Sequence, residues 1–499
     1  MDAAVAPLLA VAVLLFLGLR RRGGHRNHCP YPNPVLGNVV PLLTAAPSST
    51  IEVRGALGLG RGVATADPGV VNHMLRARFP NYVKGARFAG PFGDLLGSGI
   101  FLADGRLCSL QRKLASYSFS SRSLRRFSGR VLRGHLHRRL LPLLAGAADS
   151  GEAVDLQDVL KRFAFDNICG VAFGVEGSTL LEFEEAGGRG RGRPRRHDTF
   201  FEAFNAAVEI SFARMLHPTA VVWKAMQLAG VGSERRLREA IRIVDEHHLL
   251  SRFAAAMEEE EGSELGAMFR SPEAKRRFLR DIVVSFVLAG KDSTSSALTW
   301  FFWLLAANPR CERRVYEEVA SLSLHRYGVD DEGGGGYDEL RGMHYLHAAL
   351  TEAMRLYPPV PINSRVAAAG DVLPDGTTVR AGWFADYCAY AMGRMPQLWG
   401  DDCREFRPER WLDGGGEFVA VDTAKYPVFH AGPRACLGKE MAYVQMKAVV
   451  AAVVRRFAVE TVREASMEAP PPYEMTVTLK MKGGLPVRIR RRDSDAGRH

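Results

Sequence analysis

From Ala3 to Leu19 the chain is apolar and uncharged, and Arg20, Arg21 and Arg22 follow at once. A cleaved secretory signal carries its positive charge before the apolar run, so the reversed order predicts an uncleaved signal anchor over residues 1–29. A cleaved signal peptide is the alternative. The positive-inside rule then leaves the amino terminus across the bilayer and the rest of the chain in the cytosol. Pro30, Pro32 and Pro34 alternate and cannot support a helix, which makes a stiff linker into a body spanning residues 30–499. Between about residues 50 and 83 short apolar runs alternate with Gly and Pro, predicting a small sheet with helices. From about 105 to 325 apolar positions recur at spacings of three and four, as from Asp155 to Cys169, and helix dominates. A nearly continuous apolar stretch, Phe278 to Ala306, is broken at its centre by Lys291, Asp292, Ser293 and Thr294. As a transmembrane helix it would carry two charges costing at least about 2.5 kcal/mol each, so a buried helix crossing a pocket fits better. No internal repeat and no second linker divides the body. The expected fold is one large domain, mainly α with a small β-sheet region.

Composition adjusts this picture little. The 499 residues are 47% hydrophobic and 24% charged, an ordinary globular balance that excludes wholesale disorder. Lys and Arg exceed Asp and Glu by 66 to 55, giving +11. Nucleic acid is a weak explanation. The arginines fall in the anchor flank, in a Gly/Arg-rich insert over residues 186–197 and in the tail from Arg488 to Arg492, and form no aromatic-studded face. The insert, like Gly333 to Gly336, reads as a mobile loop. Seven scattered cysteines without a CxxC pair exclude a disulfide framework or zinc ribbon and favour a reducing compartment.

The candidate chemistry begins at Phe429. Gly432 and Pro433 break regular structure ahead of Cys436, while Met441, Val444, Ala448 and Ala451 continue along one helical face behind it. Cys436 therefore stands at or just before a helix start, where free amides and Arg434 can favour a thiolate, and Gly438 leaves room for a flat partner. A lone cysteine in a glycine-rich turn can equally be an inert buried thiol. Glu352 and Arg355 share a helix face, which by itself can be no more than a surface ion pair.

Taken together, Phe429, Gly432, Arg434, Cys436 and Gly438 reproduce Phe-x-x-Gly-x-Arg-x-Cys-x-Gly, the haem-binding signature of cytochromes P-450, and the chain resembles that superfamily. The resemblance implies the cytochrome P-450 fold and haem b, with Cys436 as axial thiolate and the other four signature residues around the cofactor. It implies that Arg410 completes a buried network with Glu352 and Arg355 that holds the core on the haem side. Ala289 to Thr294 match the oxygen-activating motif, in which Gly290 and the hydroxyls open the helix locally and Asp292 with Ser293 or Thr294 relays protons. The family's Trp-x-x-x-Arg pair, which meets a haem propionate, falls on Cys108 and Arg112. The indole is missing, and looser haem retention is expected.

Several phrases, among them GDLLGSGIF from Gly93 and LPDGT from Leu373, look like the plant fatty-acid ω-hydroxylase clan, in which the branch acting on medium and long fatty acids also holds jasmonoyl-isoleucine hydroxylases. This implies hydroxylation at or near the end of an aliphatic tail. Electrons would come from NADPH through a membrane-bound cytochrome P-450 reductase, to a monomer on the cytosolic face of the endoplasmic reticulum. Phe88 to Phe101, with Phe92 among them, would cover the haem from above, Ala289 and Thr294 would face the substrate, and Val360 to Asn363 (including Ile362) and Thr476 to Thr478 would close the sides. Arg87 or Arg214 would meet the substrate carboxylate. A haem protein with little turnover is the competing reading, suggested by Cys108.

Overall fold

The computed structural model describes residues 43, 49–54, 60–120, 122–173, 179–180, 196–217, 220–246, 271–321 and 335–492. The anchor and most of the basic insert lie outside these residues. Gly335 and Gly336, expected in a loop, open the helix Gly335–Gly342. Among the described residues no helix is long and apolar enough to cross a membrane.

Helices dominate, and the main sheet is small, as expected. Strands β1 (Thr50–Arg54), β2 (Arg61–Thr65), β3 (Tyr82–Val83), β4 (Asn363–Ala367) and β5 (Phe384–Tyr387) form one sheet in the order β1-β2-β5-β4-β3. Only β2 and β5 run parallel, so the chain crosses the helical body between them. The remaining sheets are short; one pairs Tyr473–Met475 with Leu479–Met481.

Seven helices position the candidate site: α1 (Gly85–Leu96), α2 (Gly105–Ser120), α3 (Leu156–Phe173), α4 (Arg196–Leu216), α5 (Pro272–Ala307), α6 (His344–Leu356) and α7 (Lys439–Arg456). Helix α5 begins where its sequence says it must. The Ser271 hydroxyl accepts from the Ala274 amide at 3.2 Å, Pro272 fills the first turn and Glu273 meets the helix dipole. Its 36 residues span about 54 Å, longer than the apolar run suggested because a charged first turn precedes it.

The core has two large parts, and α5 runs through both. Val283, Val284, Val287 and Leu288 pack with α1, α3 and α4, whereas Ala297 to Leu305 pack with α6 and α7. The polar stretch of α5 falls at the seam between these clusters. There, Gly290 does not open the helix, which is continuous. A Cβ at this position would come within 2.6 Å of the Ile168 side chain, so the glycine lets α5 close onto α3.

Candidate active site

The cysteine loop is built from two single-turn 3-10 helices, Pro427–Phe429 and Gly432–Arg434. Gly432 has φ +64, and a Cβ there would stand 2.0 Å from the Leu75 carbonyl, so only glycine allows this approach. The Cys436 amide donates to the Phe429 carbonyl at 2.8 Å, the Phe429 ring packs on Tyr443, and Arg112 from α2 donates to the Ala435 carbonyl. Gly438 then caps α7. Cys436 has exposed surface, yet enough protein surrounds it that burial pushes its thiol up, against the Gly438 amide, Arg112 and Lys439. The cations facing the sulfur are thus Arg112 and Lys439. Arg434, expected in that role, turns away to Asp104 and the Ala103 carbonyl.

Around the loop the structure gathers positive charge that no motif announced. Arg434 acts on Lys84, Arg112 and Arg365, and Asp104 is the acid that Lys84, Arg365 and Arg434 share; burial, with Arg365 and Arg434, pushes the Lys84 ammonium well down. Arg365 is wholly buried on β4 and burial lowers its pKa to about 10. Its Nη2 lies 3.0 Å from His430 Nε2. An arginine only donates, so Nε2 accepts and the imidazole proton sits on Nδ1, 2.7 Å from the Tyr387 hydroxyl oxygen. Burial and the surrounding cations hold His430 neutral. The Nε atoms of Arg365 and Arg434 are buried without a hydrogen-bond partner. Such a cluster fits an anion with several acceptors. Beside Cys436, a Cβ on Gly438 would meet nothing within 4 Å, leaving the open flank that a flat macrocycle needs. The residues present therefore fit haem: a thiol for the metal, space for the ring, and cations with spare donors for the propionates. Sequence reading missed Lys84, Arg365 and His430. A charged residue inside the otherwise compact Ser364 to Ala367 strand was the available signal.

The supporting network takes the expected members. Glu352 is fully buried and accepts from Arg355 Nε and Nη2 at 2.6 and 2.7 Å, from Arg410 Nε at 2.9 Å, and from Trp411 Nε1 at 2.8 Å. On α5, Ala289 is exposed and Ser293, one turn on, is half-buried and donates to the Ala289 carbonyl at 2.6 Å. Thr294 is buried, so Ser293 is the hydroxyl on the open side. Asp292 is buried and ion-paired with Lys291 at 2.9 Å.

Among the expected pocket walls, Phe88, Phe101, Ala289, Val360, Ile362 and Thr476 keep accessible surface. Phe92 turns into the core with Leu95 and Leu96, and is no free wall. The turn Thr476 to Thr478 is held beside α5 by Ser296 and Trp300, both donating to the adjoining Leu479 carbonyl. Arg214 does not meet a substrate carboxylate. It is buried against Glu234, Asp94 and the Pro91 carbonyl, because its position at the end of α4 faces these acids. Arg87 lies over the Phe384 ring, 3.9 Å from Asp386.

A thiol loop on a helix start beside a cationic cluster with spare donors fits the haem-thiolate class of oxidoreductase. The cytochrome P450 family model matches residues 63–486, and the chain belongs to that family of haem-dependent monooxygenases. Among its relatives are cytochrome P450 94B3 of Arabidopsis thaliana, 44% identical across 90% of this chain and 87% of that one, and cytochrome P450 CYP94D108 of Paris polyphylla, 43% identical across 95% and 90%. Cytochrome P450 94A1 of Vicia sativa is 42% identical across 91% and 86%.

Cys108 is buried on α2, within electrostatic reach of Lys84, Arg112 and Arg365. An indole N–H at this place would add a donor to an anion, worth about 1.5–3 kcal/mol. Cys108→Trp is expected to lose haem to an acceptor globin about 10 to 100 times more slowly than wild type, at that conversion. Equal loss rates would show that the thiol costs nothing in retention.

Proposed function

We propose that the chain hydroxylates the aliphatic tail of fatty acids, or of related amphipathic carboxylates such as jasmonoyl-isoleucine, at or near the terminal carbon. One atom of dioxygen enters the C–H bond and the other leaves as water, with two electrons from NADPH through a membrane-bound reductase and two protons. Haem supplies the oxidising chemistry when bound, with Cys436 as its thiolate ligand. Arg365, Arg434, Arg112 and Lys84 hold its carboxylates, and Asp292 with Ser293 moves protons inward from water. The single observation that carries the haem-thiolate reading is the cationic cluster with orphaned guanidinium N–H groups beside an accessible thiol. Apolar walls at Phe88, Phe101, Ala289, Val360 and Ile362 suit an alkyl chain, which binds by burying area at about 25 cal/mol per Å².

The body acts as a monomer at the endoplasmic reticulum membrane, held by residues 1–29 with the haem domain over 30–499 in the cytosol. Apolar exposure supports a second contact with lipid: Val221, Val222 and Leu228 on the helix Ala220–Ala229, with Val231 just beyond, are exposed, Leu228 at 91%. The test is expression with a plant reductase in microsomes, followed by a panel of fatty acids and jasmonoyl-amino acids scored for the position of hydroxylation. A hydroxylated tail in either class is expected. No NADPH-dependent product from any of them would overturn the substrate assignment and favour a haem protein with little turnover.

A further inference from the structure

The helix that carries the acid-alcohol pair also carries a fully buried lysine that this chemistry does not use. Lys291 Nζ is ion-paired with Asp292 Oδ1 at 2.9 Å, donates to Asn205 Oδ1 on α4, and stands 5.3 and 5.4 Å from the ring centroids of Phe201 and Phe204. The three ammonium hydrogens thus have a carboxylate, an amide oxygen and two aromatic faces to meet. An ammonium taken so completely from water is costly unless something is gained by its position.

We propose that Lys291 is a positioning residue for the monooxygenase reaction: with Asn205 it holds the Asp292 carboxylate ionised and fixed against α4, so that proton delivery depends on how α4 is seated. The inference rests on the reading of Asp292 as the relay acid. Three lysines act on Asp292: Lys291 from its own helix, Lys161 from α3 and Lys480 from the strand Leu479–Met481. Glu209 of α4 is itself paired with Lys480, and Cys169 of α3 faces Lys291. Together the lysines hold Asp292 below the usual carboxylate range despite burial. Without Lys291, burial opposes the charge with less to offset it, and the carboxyl moves up.

The test uses the full chain with reductase in microsomes, comparing Lys291→Met, Lys291→Arg, Asp292→Asn and the Met/Asn double variant. Lys291→Met is expected to keep the thiolate-type carbon monoxide spectrum while product formed per NADPH falls about tenfold, part of what a positioned proton relay contributes. That ratio is expected to gain a pH dependence that wild type lacks, rising with pH as the carboxyl ionises. Lys291→Arg restores both, and the double variant is no worse than Asp292→Asn alone. If Asp292→Asn changes nothing, the relay reading itself fails. If Asp292→Asn is impaired but Lys291→Met matches wild type in ratio and pH profile, the positioning role alone is overturned. Should Lys291→Met lose the spectrum through misfolding, Asn205→Ala decides: a lowered ratio restored by Asn205→Gln supports the tether, and a wild-type ratio refutes it.

Discussion

Glu352→Ala is expected to yield no folded haem protein. Its carboxylate takes five hydrogen bonds in a site without water access: two from Arg355, one each from Arg410 and Trp411, and one from the Arg407 amide at 3.0 Å. Truncation leaves the buried Arg355 guanidinium without its counter-ion. Removing one partner of a buried pair costs about 3–5 kcal/mol, against a total stability of about 5–15 kcal/mol. The loss is also geometric. Arg355 reaches the carbonyls of Gly393, Cys403 and Glu405, and Arg410 those of Trp399 and Asp402, so the carboxylate ties α6 to the whole segment from Gly393 to Trp411. That segment leads directly into the cysteine loop. Arg355→Lys is expected to fail nearly as badly, since an ammonium cannot make the two parallel bonds. Haem content from the carbon monoxide spectrum and the unfolding temperature of the purified chain both report the outcome; a Glu352→Ala protein with wild-type values of each would refute the network's structural role.

How far this was legible in the sequence depends on the kind of information each feature needs. The signature around Cys436, the Glu352/Arg355 spacing and the polar centre of α5 are local strings, and local strings survive in one dimension. The bounds of α5 were missed by several residues because Lys275, Arg276 and Arg277 hide a well-capped helix start from a hydrophobicity pattern. Arg214 and Arg434 show the harder limit. Both were read as free cations, and both are paired with acids over a hundred residues away in sequence, Asp94 and Asp104, although Arg434 keeps its Nε without a partner. Partners of charged residues are set by tertiary approach, so a sequence reveals that a cation exists and not whether it is already spent. The same approach assembled Lys84, Arg112 and Arg365 from three elements into one cluster, and set Lys291 on Asn205. Gly290 illustrates the converse. Its role is to admit Ile168, a contact between two helices that no reading of α5 alone contains.

Cys436→Ala is expected to separate folding from chemistry more cleanly than any other single change. The side chain is exposed, while the backbone around it is fixed by groups the substitution leaves in place: the amide bond to Phe429, the turn from Ala435 to Gly432, and the Arg112 bond to Ala435. The haem-free fold therefore loses little, within about the 0.5 kcal/mol typical of surface substitutions. The thiolate-type carbon monoxide spectrum disappears, because the neighbouring donors are an imidazole held by Arg365 and Tyr387 and cations that cannot ligate a metal. Product formation drops to the uncatalysed background, a fall of at least about 10⁶. Alanine at Cys169, Cys311, Cys388 or Cys403, all buried, serves as the control and keeps the spectrum wherever the chain folds. A Cys436→Ala protein that unfolds at the wild-type temperature and still gives the thiolate spectrum would remove Cys436 from the site; one that unfolds normally and gives none assigns the axial ligand to this sulfur.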